Sequence, residues 1–109
     1  MKVGKESGIE ARNVDEHGIE GVKMKVLISE QEGAPNFVMR LFEIEPNGHT
    51  AYHTHAWEHE VYVLSGTGAV KQGDRELPIE EGSYVFVKPN EEHQFINTGE
   101  KPLKFICVV

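Results

Sequence analysis

The stretch His53-Thr54-His55-Ala56-Trp57-Glu58-His59-Glu60-Val61-Tyr62-Val63-Leu64-Ser65-Gly66 decides what kind of chain this is. Three imidazoles at n, n+2 and n+6 lie in a run of strand-forming residues that ends on a glycine turn. Strand side chains alternate faces, so His53 and His55 are expected to point the same way from one short strand. His59 follows four residues later and opens the apolar run at 61–64. A bend between His55 and His59 would bring all three to one point. His93, in Pro89-Asn90-Glu91-Glu92-His93-Gln94-Phe95, is a fourth candidate. Imidazole is the commonest protein ligand for first-row metals, so a metal site is the first expectation.

Outward from this stretch, the chain reads as short strands between turns. Residues 1–21 are polar and glycine-punctuated, a leader with at most one short strand at 11–14. From Val22, strand patterns are expected at 22–28, 37–45, 53–55, 61–64, 69–72, 75–79, 83–88, 93–97 and 103–109. Gln31-Glu32-Gly33-Ala34-Pro35-Asn36, Pro46-Asn47-Gly48, Gly73-Asp74 and Glu80-Glu81-Gly82 supply turns. No segment of ten or more residues holds a 3.6-residue period. The prediction is an all-β sandwich or barrel, one domain over 22–109 preceded by the leader.

Composition narrows the function. A chain of 109 residues, 39% hydrophobic and 27% charged, fits one soluble domain with a modest core. No apolar run approaches 18 residues and the first eight residues lack a signal-peptide core, so no membrane association and a cytoplasmic location are expected. A single cysteine, Cys107, excludes an internal disulfide and a cysteine-rich zinc site. A net charge of −7 with no basic patch argues against nucleic acid. No phosphate-binding glycine loop or GxSxG elbow is present.

The histidine spacing resembles that of the cupins, small jelly-roll (double-stranded β-helix) barrels with motifs G-x5-H-x-H-x3-E-x6-G and G-x5-P-x-G-x2-H-x3-N. The first aligns from Asn47 through His53, His55 and His59 to Gly66; the second from Gly82 through Lys88, Asn90 and His93 to Asn97. Asn47 stands where the family has glycine, with Gly48 beside it to take up the tight turn. Lys88 and Asn90 replace a proline and a glycine, and asparagine tolerates positive φ better than most residues. The family's glutamate ligand is replaced by His59. Glu58 and Glu60 flank it, but strand alternation points both away; a one-residue slip would restore Glu60 and break the spacing to Gly66.

Residues 34–42 and 57–60 resemble small single-domain cupins with four histidines and no carboxylate at the metal. That resemblance covers about residues 22–109 and leaves the leader unexplained. It implies ligands His53, His55, His59 and His93, one divalent ion per chain with manganese foremost, and a homodimer. Iron, nickel, copper or zinc also suit imidazole, and zinc would make a closed structural site. Four neutral ligands leave the full +2 charge on the ion, and two open positions on a six-coordinate metal would accept a chelating substrate, or substrate plus dioxygen. Dioxygenase-like oxidation of a small metal-chelating organic molecule is the leading expectation. A non-catalytic ligand- or metal-binding module is the alternative; a metal-dependent isomerase needs a base near the ion, such as a carboxylate or Tyr52.

Other residues carry narrower expectations. His49 reads as a rim residue and His17 as solvated. Cys107 shares parity with Leu103 and Phe105, as a buried small hydrophobe or a thiol near the metal. Phe42, Phe95 and Phe105 read as core with a possible face on a pocket, and Trp57 as loop packing or a dimer contact. Arg40 interrupts an apolar strand and is expected to bind a substrate carboxylate or to pair with a glutamate, the ion pair being the favoured reading. Exposed sheet edges of a lone barrel favour dimerisation, with strand 22–28 covering a partner's edge.

Overall fold

Inward and outward residues alternate strictly along the strand that opens at His59. In the computed structural model, which describes all 109 residues, β4 (His59–Ser65) buries His59, Val61 and Val63 and exposes Glu60, Tyr62 and Leu64. β9 (Leu103–Val108) does the same with Leu103, Phe105 and Cys107 inside. The two strands pair, Val61 opposite Cys107 and Val63 opposite Phe105, so their inner faces meet in the core. Branched and aromatic side chains on these faces suit a pleated, half-buried surface. Eleven buried apolar residues make up the core, small enough that each buried polar group weighs on stability.

The other strands are β1 (Arg12–Asn13), β2 (Glu20–Ile28), β3 (Met39–His49), β5 (Thr67–Gln72), β6 (Arg75–Glu80), β7 (Tyr84–Val87) and β8 (Gln94–Asn97). All pairings are antiparallel, in the order β6-β5-β8-β3-β9-β4-β7, with β2 also on β3 and β1 on β2. β6 and β7 are the two ends of this path, so the barrel is nearly but not fully closed. The fold is all-β and a barrel, one of the two forms the strand spacing predicts, and it is the jelly roll that the cupin resemblance implies. Two 3-10 turns, Glu6–Gly8 and Glu30–Glu32, interrupt the strands, the second held by a reciprocal Ser29–Glu32 capping box. No helix is long and apolar enough to cross a membrane.

Three expectations are corrected. Pro46-Asn47-Gly48 does not end its strand: β3 runs on to His49, and one residue of β2, Gly21, faces four of β3 in a bulge. Asn47 itself takes the positive φ, 68°, which its short polar side chain tolerates. Gly48 is needed for close approach instead, since a Cβ there would lie 2.6 Å from Glu20 O. Residues 53–55 do not form a strand; only one isolated bridge, His53 to His93, ties them to the sheet.

The leader also folds onto the barrel. β2 starts at Glu20, β1 pairs with it, Val14 N–H donates to Val22 O at 2.8 Å, and Val14 and Ile19 pack against the core. β1 lies within the short strand expected at 11–14.

Candidate metal centre

His53 and His93 face each other across an antiparallel bridge, each N–H donating to the other's carbonyl at 3.2 and 3.1 Å. Asn90, at φ 66°, directs its own N–H onto His55 O at 2.7 Å. The left-handed asparagine thus docks the loop carrying His93 onto the loop carrying His55. His59 arrives separately, on the inner face of β4 opposite Val87. Glu60 is exposed on the outer face, as alternation requires.

These supports bring imidazoles together. His53, His55 and His93 offer nitrogens that all lie within 4.8 Å of one another. His59 stands outside that mutual group but touches it, its Nε2 2.5 Å from His55 Nε2 and its ring centroid 5.4 Å from that of His93. Two nitrogens bound to one ion at about 2.1 Å sit roughly 3 Å apart, so the rings of His55 and His59 would part slightly around one.

Hydrogen bonds fix which nitrogen is free in His55, His59 and His93. His55 Nδ1 lies 2.9 Å from Trp57 O, and His93 Nδ1 lies 2.8 Å from Glu91 O. A carbonyl only accepts, so both Nδ1 atoms carry the proton and both Nε2 atoms keep a lone pair. His59 Nδ1 lies 2.8 Å from Cys107 Sγ. Arg40 Nη2 is 3.3 Å from the same sulfur and 3.4 Å from His59 Nδ1. A guanidinium only donates, so His59 Nδ1–H and Arg40 both donating to Sγ is the arrangement that leaves His59 Nε2 free. The Trp57 indole stacks on the His55 ring at 4.6 Å and 5° although Trp57 is 56% exposed. Trp57 therefore braces His55 twice, with its carbonyl and its ring, a role its position beside the ligands hinted at without specifying.

Burial favours the neutral form of His53, His59 and His93. It is the main cause that holds His59 down at about 3, with His55 and the Arg40 cation adding to it. Burial first, then His93 and His55, lowers His53, while the Glu16 charge works the other way. His93 is also lowered by burial, against its bond to the Glu91 backbone. The Cys107 thiol is pushed up by burial, opposed by Arg40. Neutral imidazoles with converging lone pairs repel one another and suit a shared cation, so the donor set fits a divalent metal.

Beside the cluster lies a cavity of about 510 Å³ that His53, His59 and His93 line. Phe42, Phe95 and Phe105 form an aromatic wall, Phe105 stacked between the other two at 5.3 and 4.8 Å. The leader also lines the cavity, with Arg12, Asp15 and Glu16, which sequence reasoning left unassigned. Arg40 corrects the ion-pair expectation. The sole ion pair in the chain is Lys25–Glu6, and Arg40 instead lines the cavity with its guanidinium 5.0 Å over the Phe42 ring. Tyr52 OH accepts the Gly73 N–H at 2.8 Å, and Tyr52 is not among the residues lining the cavity. His49 is half-buried and engaged with Thr50 O and Gln94; His17 is exposed.

Comparison with known proteins agrees with this architecture. The oxalate-binding protein of Thermotoga maritima is 32% identical over 92 residues, covering 81% of this chain and 74% of its own. The structure of the polyketide cyclase RemF from Streptomyces resistomycificus superposes with a TM-score of 0.93 at 34% identity, over 99% of this chain and 78% of RemF. A predicted oxalate decarboxylase from Thermotoga maritima superposes at 0.88 with 27% identity, over 98% of this chain and 96% of its own. The cupin domain model matches residues 40–109, from the arginine of β3 to the last residue, and the chain belongs to the cupin family.

Proposed function

We propose that this cupin holds one divalent first-row ion, manganese in keeping with the four-histidine resemblance, and oxidises a small metal-chelating organic molecule with dioxygen. The observation that carries this reading is the set of imidazoles with hydrogen-bonded Nδ1 atoms and inward Nε2 atoms beside a cavity of about 510 Å³. The ion, when bound, would supply Lewis acidity, redox capacity and positions for exogenous ligands. His53, His55 and His93 would hold it, with His59 as fourth ligand. Cys107 and Arg40 fix the His59 ring, Trp57 fixes His55, and the Phe42–Phe105–Phe95 stack excludes water from one side of the ligand.

Elemental analysis of tag-free protein beside a His59→Ala variant tests the metal half. The expected result is about one manganese or another open-site metal per chain, reduced in the variant; no metal in either would remove the reading. Oxygen consumption with enediol, diketone, flavonol and small aromatic substrates tests the chemistry. Metal-loaded protein that binds chelators without turnover would establish the second reading, a binding module, which the oxalate-binding relative favours. Asp15 and Glu16 on the cavity wall are the one feature favouring an isomerase.

A homodimer is part of the same proposal. Tyr62, Leu64, Tyr84 and Phe86 are exposed on adjoining strands β4 and β7, with Tyr62 directly opposite Tyr84, and β7 has an open edge. Sedimentation is expected to give a dimer that Tyr84→Glu weakens; a wild-type monomer at all concentrations would reject it.

A further inference from the structure

We propose that residues 9–17 form a hinged strap over the cavity, which swings off β2 about Gly18 to admit small molecules, with the Glu6–Lys25 ion pair as its latch. The inference starts from a contrast between the two irregular segments that line the cavity. Thr50, Ala51 and His53 come from the loop after β3, and Arg12, Val14 and Glu16 from the leader. The loop is fastened from both sides. Thr50 N–H donates to Phe95 O and Thr50 Oγ1 accepts the Phe95 N–H, both at 2.9 Å, and His53 exchanges N–H to carbonyl bonds with His93.

The leader is held far more lightly. β1 is two residues long, Arg12 opposite Met24 and Asn13 opposite Lys23, and one further bond, Val14 N–H to Val22 O at 2.8 Å, continues the pairing. No side chain of residues 9–19 hydrogen-bonds to the barrel, and the side-chain bonds that tie the leader down both run from Lys25 Nζ to Glu6. No residue from 1 to 21 is fully buried; Val14 and Ile19 are half-buried pegs against the core. Segments with few buried apolar contacts and exposed backbone bonds open locally, well below the free energy of global unfolding.

A hinge and a latch bound the segment. Gly18, at φ 83°, lies between the strap and the Ile19 peg, and a Cβ there would meet nothing within 4 Å, so the chain can turn at this point without a clash. On the far side of the strap, Lys25 Nζ donates to Glu6 Oε2 and Glu6 O, each at 2.8 Å. This is the sole ion pair of the chain, and the Glu6 carboxylate is open to solvent, so salt weakens it. Inside lies Cys107, 2% exposed and lining the same cavity, which makes its thiol a reporter of whether the strap is shut. The strap goes beyond the metal reading and does not rest on it.

The test follows, by mass, the rate at which methyl methanethiosulfonate labels Cys107 in metal-free protein. A disulfide between Asn13→Cys and Lys23→Cys, Cα partners across β1 and β2, ties the strap down. Labelling is expected to slow about tenfold in the disulfide-bonded variant. It should quicken about threefold in Glu6→Gln, and added salt should speed wild type but not that variant. In wild type the rate should change little at low urea, since releasing a strap uncovers far less surface than unfolding does. A rate that climbs with urea as steeply as global unfolding overturns the strap. Labelling as fast in the disulfide-bonded variant as in wild type also overturns it, by placing the entrance elsewhere. An unmoved rate in Glu6→Gln overturns the latch. None of these readouts needs a bound ion, so the strap and the metal centre fail separately.

Discussion

His93 and Asn97 lie four residues apart, one just before β8 and one at its end, and each is 3% exposed. Asn97 is fully engaged. Its Nδ2 donates to Ile44 O and Lys101 O and its Oδ1 accepts the Gly99 N–H, each at 2.8 Å. His93 is engaged on one side only, Nδ1–H to Glu91 O, while Nε2 faces three other imidazoles rather than a donor. Equal burial thus has opposite meaning at the two ends of one short strand. Where every polar atom has a protein partner the burial closes the barrel; where lone pairs are left over, it makes a binding site.

Asn97→Ala is expected to separate the two ends most sharply. It strands two carbonyls and one N–H in the interior, and at about 1 kcal/mol per hydrogen bond should cost roughly 3 kcal/mol in urea unfolding. Manganese affinity per folded molecule should not change; a parallel loss would show that the ends are not independent. His93→Ala should do the reverse, lowering manganese affinity about 100-fold, or roughly 2.7 kcal/mol, in a chelator competition. Metal-free stability should stay close to wild type.

Acid should act on the histidine end alone. A ring whose folded-state value is lowered from 6.5 to about 3, as for His59, leaves stability fully present above 6.5 and lost as pH falls toward 3. Metal-free protein should therefore lose about 1–2 kcal/mol between pH 7 and pH 5. Most of that loss should vanish in His59→Phe; acid sensitivity unchanged in that variant would place its origin elsewhere. The smallest effect is expected from Trp57→Ala, about tenfold in metal affinity through the freed His55 ring. Its stability should shift by no more than about 0.5 kcal/mol, since the indole is largely exposed.

The strands that bury one face were legible in the sequence because a period of two survives any tertiary arrangement. β4 and β9 follow their alternation residue by residue, and Cys107 and Phe105 point inward as parity required. The loop at 50–58 was misread as partly strand because His53-Thr54-His55 fits alternation over too few residues to exclude irregular backbone. What positions it is long-range: the bridge to His93 and the Asn90 N–H on His55 O. Arg40 was misread for a related reason. Its expected glutamate rested on a lone cation interrupting an apolar strand, whereas its actual neighbours come from β4 and β9, 19 and 67 residues away. The short strand of the leader was expected, but its part in the cavity was not legible, because Val14 and Ile19 look incidental until β2 is there to receive them.

The tautomers fixed at His55 and His93 have a consequence for how the centre fills. Binding sites that must shed protons take up metal in competition with the solvent's hydrogen ions, and their calorimetric enthalpy changes with the ionisation heat of the buffer. Here the Nδ1 protons of His55 and His93 are already committed to Trp57 O and Glu91 O, and burial favours the neutral form of His53, His59 and His93. Filling of the proposed centre is then expected to release few protons from these three rings. Nearly the same binding enthalpy in phosphate and in Tris would be its signature.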